Sequence, residues 1–215
     1  MIVVALLSAW DLHLLPQSVR RVFHFRRRAA VYESEWQKWR GQKDNVSRWT
    51  EKGRALADYA SPGDSLVASA IGAVGYYSDL FIHDRAGLVT REVAVRQLVG
   101  PLQTSPGHDK MVEETFFLPR RPELLRATVV AGRPGARTVE MIEAQVDELR
   151  EAGLQDSYVV DFQLIDMAIT SGKPKYFVVW RRIEEGSDPQ TARDAFALQL
   201  ESLEAGSPLR PLKSR

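Results

Sequence analysis

Apolar positions along this chain change their spacing in a way that sorts it into elements. In residues 1–10 the one polar side chain is Ser8, and the apolar character continues through Leu12, Leu14 and Leu15. This run is shorter than the roughly 20 residues a helix needs to cross a bilayer core. It also lacks the leading positive charge and the small-residue cleavage site of a signal peptide. Five Arg follow (Arg20, Arg21, Arg26, Arg27 and Arg28), interleaved with Val19, Val22, Phe23 and Phe25. Arginines alternating with apolar and aromatic residues suit a helix at lipid headgroup level, guanidinium groups toward phosphates. The segment could instead pack on its own domain or on a partner; interfacial anchoring is the favoured reading.

Residues 29–60 have helical character, with Trp36, Trp39, Trp49, Leu56 and Tyr59 supplying bulk, and residues 41–45 are expected to break the helix in two. After the Pro62-Gly63-Asp64 turn, residues 66–69 read as a buried strand, residues 70–77 as a tight turn into a short helix, and residues 80–84 as a second strand. A third strand is expected at Phe116-Phe117-Leu118, a helical turn at residues 121–125, and strand character at residues 127–131. Residues 138–152 carry Val139, Ile142, Val146 and Leu149 at helical spacing and stop at Gly153. Residues 158–165 and 176–180 are strands, and Asp188-Pro189 opens a last helix to about Leu203, with Asp as cap and Pro in the first turn. Alternating strands and helices predict an α/β fold: a single domain with a mixed sheet covered by helices, preceded by an apolar and basic anchoring helix. The expected boundaries are 1–28 for the membrane-associated segment, 29–204 for the domain and 205–215 for an unstructured tail.

Composition narrows the chemistry. The 215 residues carry 29 Lys and Arg against 28 Asp and Glu, a formal charge of +1 that offers no chain-wide field for a polyanion, so nucleic acid is not an expected partner. The absence of cysteine excludes disulfides, thiolate nucleophiles and cysteine-ligated metals. Gly72 and Gly75 make half of a dinucleotide fingerprint, but the first glycine is missing, and a close strand-to-helix turn is the plainer explanation. His83-Asp84 and His108-Asp109 could offer nitrogen and oxygen ligands, yet their spacing matches no ligand pattern, so no metal or other cofactor is expected. His83, Asp84, His108 and Lys110 are instead expected to be structural, held by hydrogen bonds near strand ends. No G-x-S-x-G elbow is present, and paired carboxylates such as Glu113 and Glu114 serve catalysis only if the fold assembles them.

A more specific pattern runs from Ala57 to Pro122. Ala57-Asp58-Tyr59, Pro62-Gly63-Asp64, residues 71–78, Ile82-His83-Asp84, Gly87-Leu88, Gly107-His108-Asp109-Lys110 and Arg120-Arg121-Pro122-Glu123 occur in that order. This resembles the soluble extracytoplasmic C-terminal domain of bacterial multi-spanning glycosyltransferases that use lipid-phosphate sugars, the mannosyl- and arabinosyltransferase-like proteins. The family's catalytic carboxylate lies between early transmembrane helices that this chain does not contain, so the resemblance carries over no catalytic residue. Asp84, Gly87, Gly107, His108 and Lys110 match its motif loop. The resemblance implies a non-enzymatic, membrane-anchored accessory subunit on the periplasmic or extracytoplasmic face of a larger bacterial membrane complex of respiratory or photosynthetic type. Its expected partners are integral membrane subunits and lipid headgroups, met through Ile2, Val3, Leu6, Leu7, Trp10, Arg20, Arg21, Arg26, Arg27 and Arg28. The alternative is a glycan- or acceptor-binding component of a split membrane glycosyltransferase.

Overall fold

A computed structural model describes residues 35–96, 110–165 and 174–206. The proposed anchoring segment and the tail beyond residue 206 lie outside the described residues. The chain divides into two compact units, residues 1–48 and 49–215. Helix α1 runs unbroken from Glu35 to Tyr59, so the break expected at residues 41–45 is absent. Gly41 is exposed with open space about its Cα, and one exposed glycine costs a helix only about 1 kcal/mol. Within the first unit Trp36 and Trp39 stack at 4.9 Å and are about half exposed, with Arg40 and Lys43 over their rings. Those tryptophans therefore do not fill a core; Ala55 and Leu56, in the second unit, do.

The second unit is built on five strands: β1 (Ser65–Ala68), β2 (Phe81–Asp84), β3 (Leu124–Ala131), β4 (Tyr158–Leu164) and β5 (Lys175–Arg182). They form one mixed sheet in the order β2-β1-β3-β5-β4. β1 is parallel to β2 and β3, whereas β5 is antiparallel to β3 and β4. The four strands expected from apolar runs thus share one sheet. Both faces are covered, which is why the interior strand β5 reads as a continuous apolar run. Tyr176, Val178 and Trp180 point into one core with α4 (Ala136–Glu151) and α5 (Pro189–Glu204), while Phe177 and Val179 point into the other with Leu56 of α1 and Val74 of α2 (Ile71–Ser78). Gly53 makes the α1–α2 approach possible, because a Cβ there would lie 2.9 Å from Tyr77 Cβ and 3.0 Å from two α2 carbonyl oxygens. Asp188 caps α5, its carboxylate accepting from Gln190 N, and Pro189 occupies the first turn, as the sequence predicts.

Two expectations fail on either side of Pro122. Phe116-Phe117-Leu118 is not a strand but part of a 3₁₀ helix, Glu114–Arg120. Pro119 cannot donate to a ladder, and the segment closes on itself through Phe116 N to Glu113 O and Arg121 N to Leu118 O. Residues 124 and 125, expected in a helical turn, begin β3. Leu124 and Leu125 are both fully buried, and each belongs to a different core, an arrangement available to adjacent residues on a strand but not on a helix face.

Candidate functional site

Of the candidate motif-loop residues, Asp84, Gly87 and Lys110 are described, and they lie at and after the carboxyl end of β2. Asp84 is fully buried, and its carboxylate accepts from Ala86 N at 2.8 Å and Val89 N at 2.9 Å. Its own N–H donates to Thr90 Oγ1, and its carbonyl accepts from Gly87 N. Thr90 precedes the short helix α3 (Arg91–Ala94), so one aspartate fixes the loop that leads into it. Gly87 adopts φ +78°, and a Cβ there would meet Ala94 N at 2.8 Å, which gives the position two separate reasons to be glycine. Arg85 then ties down the returning chain: its Nε donates to Val112 O, and its guanidinium pairs with Glu114. Lys110 Nζ donates to Ala94 O. The loop also blunts the sheet, since the polar groups that edge residue Asp84 turns outward are consumed within the chain.

His83 departs from expectation. Its Nδ1 is buried with no hydrogen-bond partner among the described residues, and the ring is held by packing, 5.3 Å from Phe117 and 5.0 Å from Phe81. Burial, and then the charge of Arg120, lower its pKa and keep it neutral. Because successive strand residues face opposite ways, His83 and Asp84 do not converge on one point. Gly107, His108 and Asp109 lie outside the described residues, as do Ile2, Val3, Leu6, Leu7, Trp10, Arg20, Arg21, Arg26, Arg27 and Arg28. Gly72 and Gly75 fall inside α2. They do not form a phosphate-cradling loop.

A second locus lies at the other end of the sheet, where β1 and β3 start and β5 finishes. A cleft of about 780 Å³ opens there, lined by four Arg (Arg120, Arg121, Arg181, Arg182) and five carboxylates (Asp64, Glu123, Asp161, Glu184, Glu185), with Tyr59 on its wall. Tyr59 Oη donates to Asp161 Oδ2 at 2.7 Å, and its ring meets Phe177 edge-on. Burial, reinforced by the Asp161 carboxylate, pushes the phenol well above its ordinary pKa, so it stays a donor. Glu123 Oε2 accepts from Ser65 N and Oγ at 2.9 and 2.7 Å, and Oε1 accepts from Arg182 at 2.7 Å. Partial burial opposes ionisation of Glu123, but the Ser65 and Arg182 hydrogen bonds outweigh it and hold the carboxyl below the usual range. The Nε atoms of Arg181 and Arg182 are buried without a hydrogen bond among the described residues, Arg181 Nε lying 3.8 Å from Asp161 Oδ2.

Sequence reasoning reached Tyr59, Asp64, Arg120, Arg121 and Glu123 as separate motif positions without placing them in one site, and it missed Asp161, Arg181 and Arg182. The available signal was Asp161 interrupting an apolar strand and the Arg pair that closes β5.

The family model described as "Domain of unknown function (DUF8728)" matches residues 29–206. The chain belongs to that family. No curated protein and no solved structure matches it. In this DUF8728 domain the Asp84–Thr90 loop is a clasp built of hydrogen bonds, and the cleft is where polar groups converge around open space.

Proposed function

We propose that this DUF8728 domain is a non-catalytic accessory component of membrane-associated glycan assembly, and that its cleft holds a glycan or a glycosylated acceptor. The observation that carries the proposal is the pairing on the cleft wall: Tyr59 with Asp161, and Arg182 with Glu123, place donors and acceptors side by side. Sugar hydroxyls both donate and accept, so near-balanced guanidinium and carboxylate groups suit them better than they suit a polyanion. Glycoside cleavage at neutral pH calls for a carboxylic acid that keeps its proton. Glu123, with its lowered pKa, supports binding instead.

Calorimetric titration of the full chain with mannotriose and with an arabinofuranosyl trisaccharide tests this. Saturable binding of at least one is expected, weakened about tenfold by Asp161→Asn through loss of a charged acceptor. Absence of heat with both sugars, or an unchanged affinity in a folded Asp161→Asn protein, would sink it.

An extrinsic subunit on integral membrane proteins at the extracytoplasmic face is the second reading. It is favoured by exposed Tyr76, Phe81, Leu88 and Val89 on α2, β2 and the loop that follows. Residues 1–28 would add the lipid contact. Deleting them together with Phe81→Ser and Leu88→Ser is expected to release a folded domain from native membranes. Retention of that variant through a salt wash counts against the docking role.

A further inference from the structure

A smaller cavity of about 280 Å³ lies over the edge strand β4, between α4 and α5, and shares no residue with the polar cleft. Its walls include Val146 and Leu149 of α4, Val160 of β4 and Phe196 of α5. Leu149 and Val160 are buried members of the core on that face, and Val146 and Phe196 pack against it, so the cavity is a gap left in otherwise continuous apolar packing. It opens to solvent past the partly buried Val146 and Phe196, so it leaves apolar surface of the core that no side chain covers.

The rim has a different chemistry. Arg150 and Arg193 both line the cavity, and Gln155 Oε1 is buried there with no donor among the described residues. Half a turn of the Gln155 amide would present its two N–H donors in place of that oxygen. The guanidinium groups are available to a ligand at small cost. Arg150 pairs with Asp147, both about two-thirds exposed, and such a surface pair contributes little; Arg193 donates through Nη2 to the Gln155 carbonyl at 2.7 Å and sits 3.4 Å from an exposed Asp156, which leaves its other N–H groups for a ligand.

We propose that this gap binds an anionic amphiphile with one short chain, its apolar part against Val146, Leu149, Val160 and Phe196 and its carboxylate between Arg150 and Arg193. The volume lies at the lower limit of small-molecule sites, which sets the size at a single medium-length acyl chain and leaves no room for a diacyl lipid.

Titration of the full chain with octanoate and with 1-octanol, followed by calorimetry, reads both halves of the proposal. Octanoate is expected to bind saturably at one site and about tenfold tighter than octanol, and Arg150→Gln is expected to remove that difference. Val146→Phe fills the gap and is expected to abolish binding of both; the exposed Arg150 variant keeps the test valid if the filled core does not fold. Vesicles of phosphatidylglycerol are expected not to displace octanoate. Equal affinity for acid and alcohol, unchanged octanoate binding in Arg150→Gln, or displacement by the vesicles would overturn the assignment.

Discussion

Glu51 lies on α1 with 7% of its surface exposed, and Lys175 at the start of β5 pairs with it. A buried pair of this kind stabilises less than its geometry suggests, because both ions lose water, but breaking it from one side strands a charge. Lys175→Met is therefore expected to lower unfolding stability by about 3 kcal/mol in urea titration, whereas Glu51→Leu combined with Lys175→Met recovers most of that loss. If the double variant were as unstable as the single one, packing around Lys175 would be the cause instead of the stranded carboxylate. Asp84 illustrates what single residues reveal in advance. A carboxylate followed at short spacing by Gly and Thr is a local device, and its hydrogen bonds to residues 86, 89 and 90 close within the same stretch of chain. Asp161 could not be read that way, since its partner Tyr59 is 102 positions away.

Among the elements, β1, β4 and β5 were legible because strands with mostly buried residues write themselves as short apolar runs, and β2 was legible from the same apolar run although its Phe81 is exposed. The start of β3 was obscured by Pro122, which resembles a helix-opening proline in Arg121-Pro122-Glu123, although Leu124 and Leu125 go to opposite cores. α1 carries another property that periodicity does not expose. Burial lowers the pKa of Lys52 to about 8 from 10.5, with the Glu114 charge acting in the opposite sense. Between those two values the unfolded chain binds a proton that the folded chain does not, so stability rises with pH across that window. Below pH 8 both states are protonated, and the burial cost is present in full, on the order of 3–4 kcal/mol at most. The Tyr158 phenol, pushed up to about 12 by burial, has the opposite slope, but only above pH 10. Denaturation at pH 8, 9 and 10 is expected to show increasing stability in the unaltered protein and a flatter profile in Lys52→Met. Parallel profiles for the two proteins would remove Lys52 as the source.

At the scale of the molecule, the sheet separates two kinds of polar construction. The carboxyl end of β2 is closed by Asp84, Thr90, Arg85 and Glu114, whose polar groups bond one another and hold the chain. The opposite end keeps open volume beside its ion pairs, with two buried Arg Nε atoms making no hydrogen bond among the described residues, Arg181 Nε standing 3.8 Å from Asp161 Oδ2. No helix among the described residues is long and apolar enough to cross a membrane. The Asp84 loop was visible in the sequence because its hydrogen bonds close within six residues. The cleft was not, because the fold assembles it from the end of α1 and from three strands. Chemical-shift mapping by NMR tests the cleft most directly, with the isotope-labelled full chain titrated with mannotriose and the arabinofuranosyl trisaccharide. The prediction is saturable shifts at Tyr59, Glu123, Asp161, Arg181 and Arg182, with the Asp84–Thr90 loop unmoved. Shifts confined to other surfaces, or none with either sugar up to roughly the millimolar range in which weak ligands still register, would contradict a glycan-holding role for this domain.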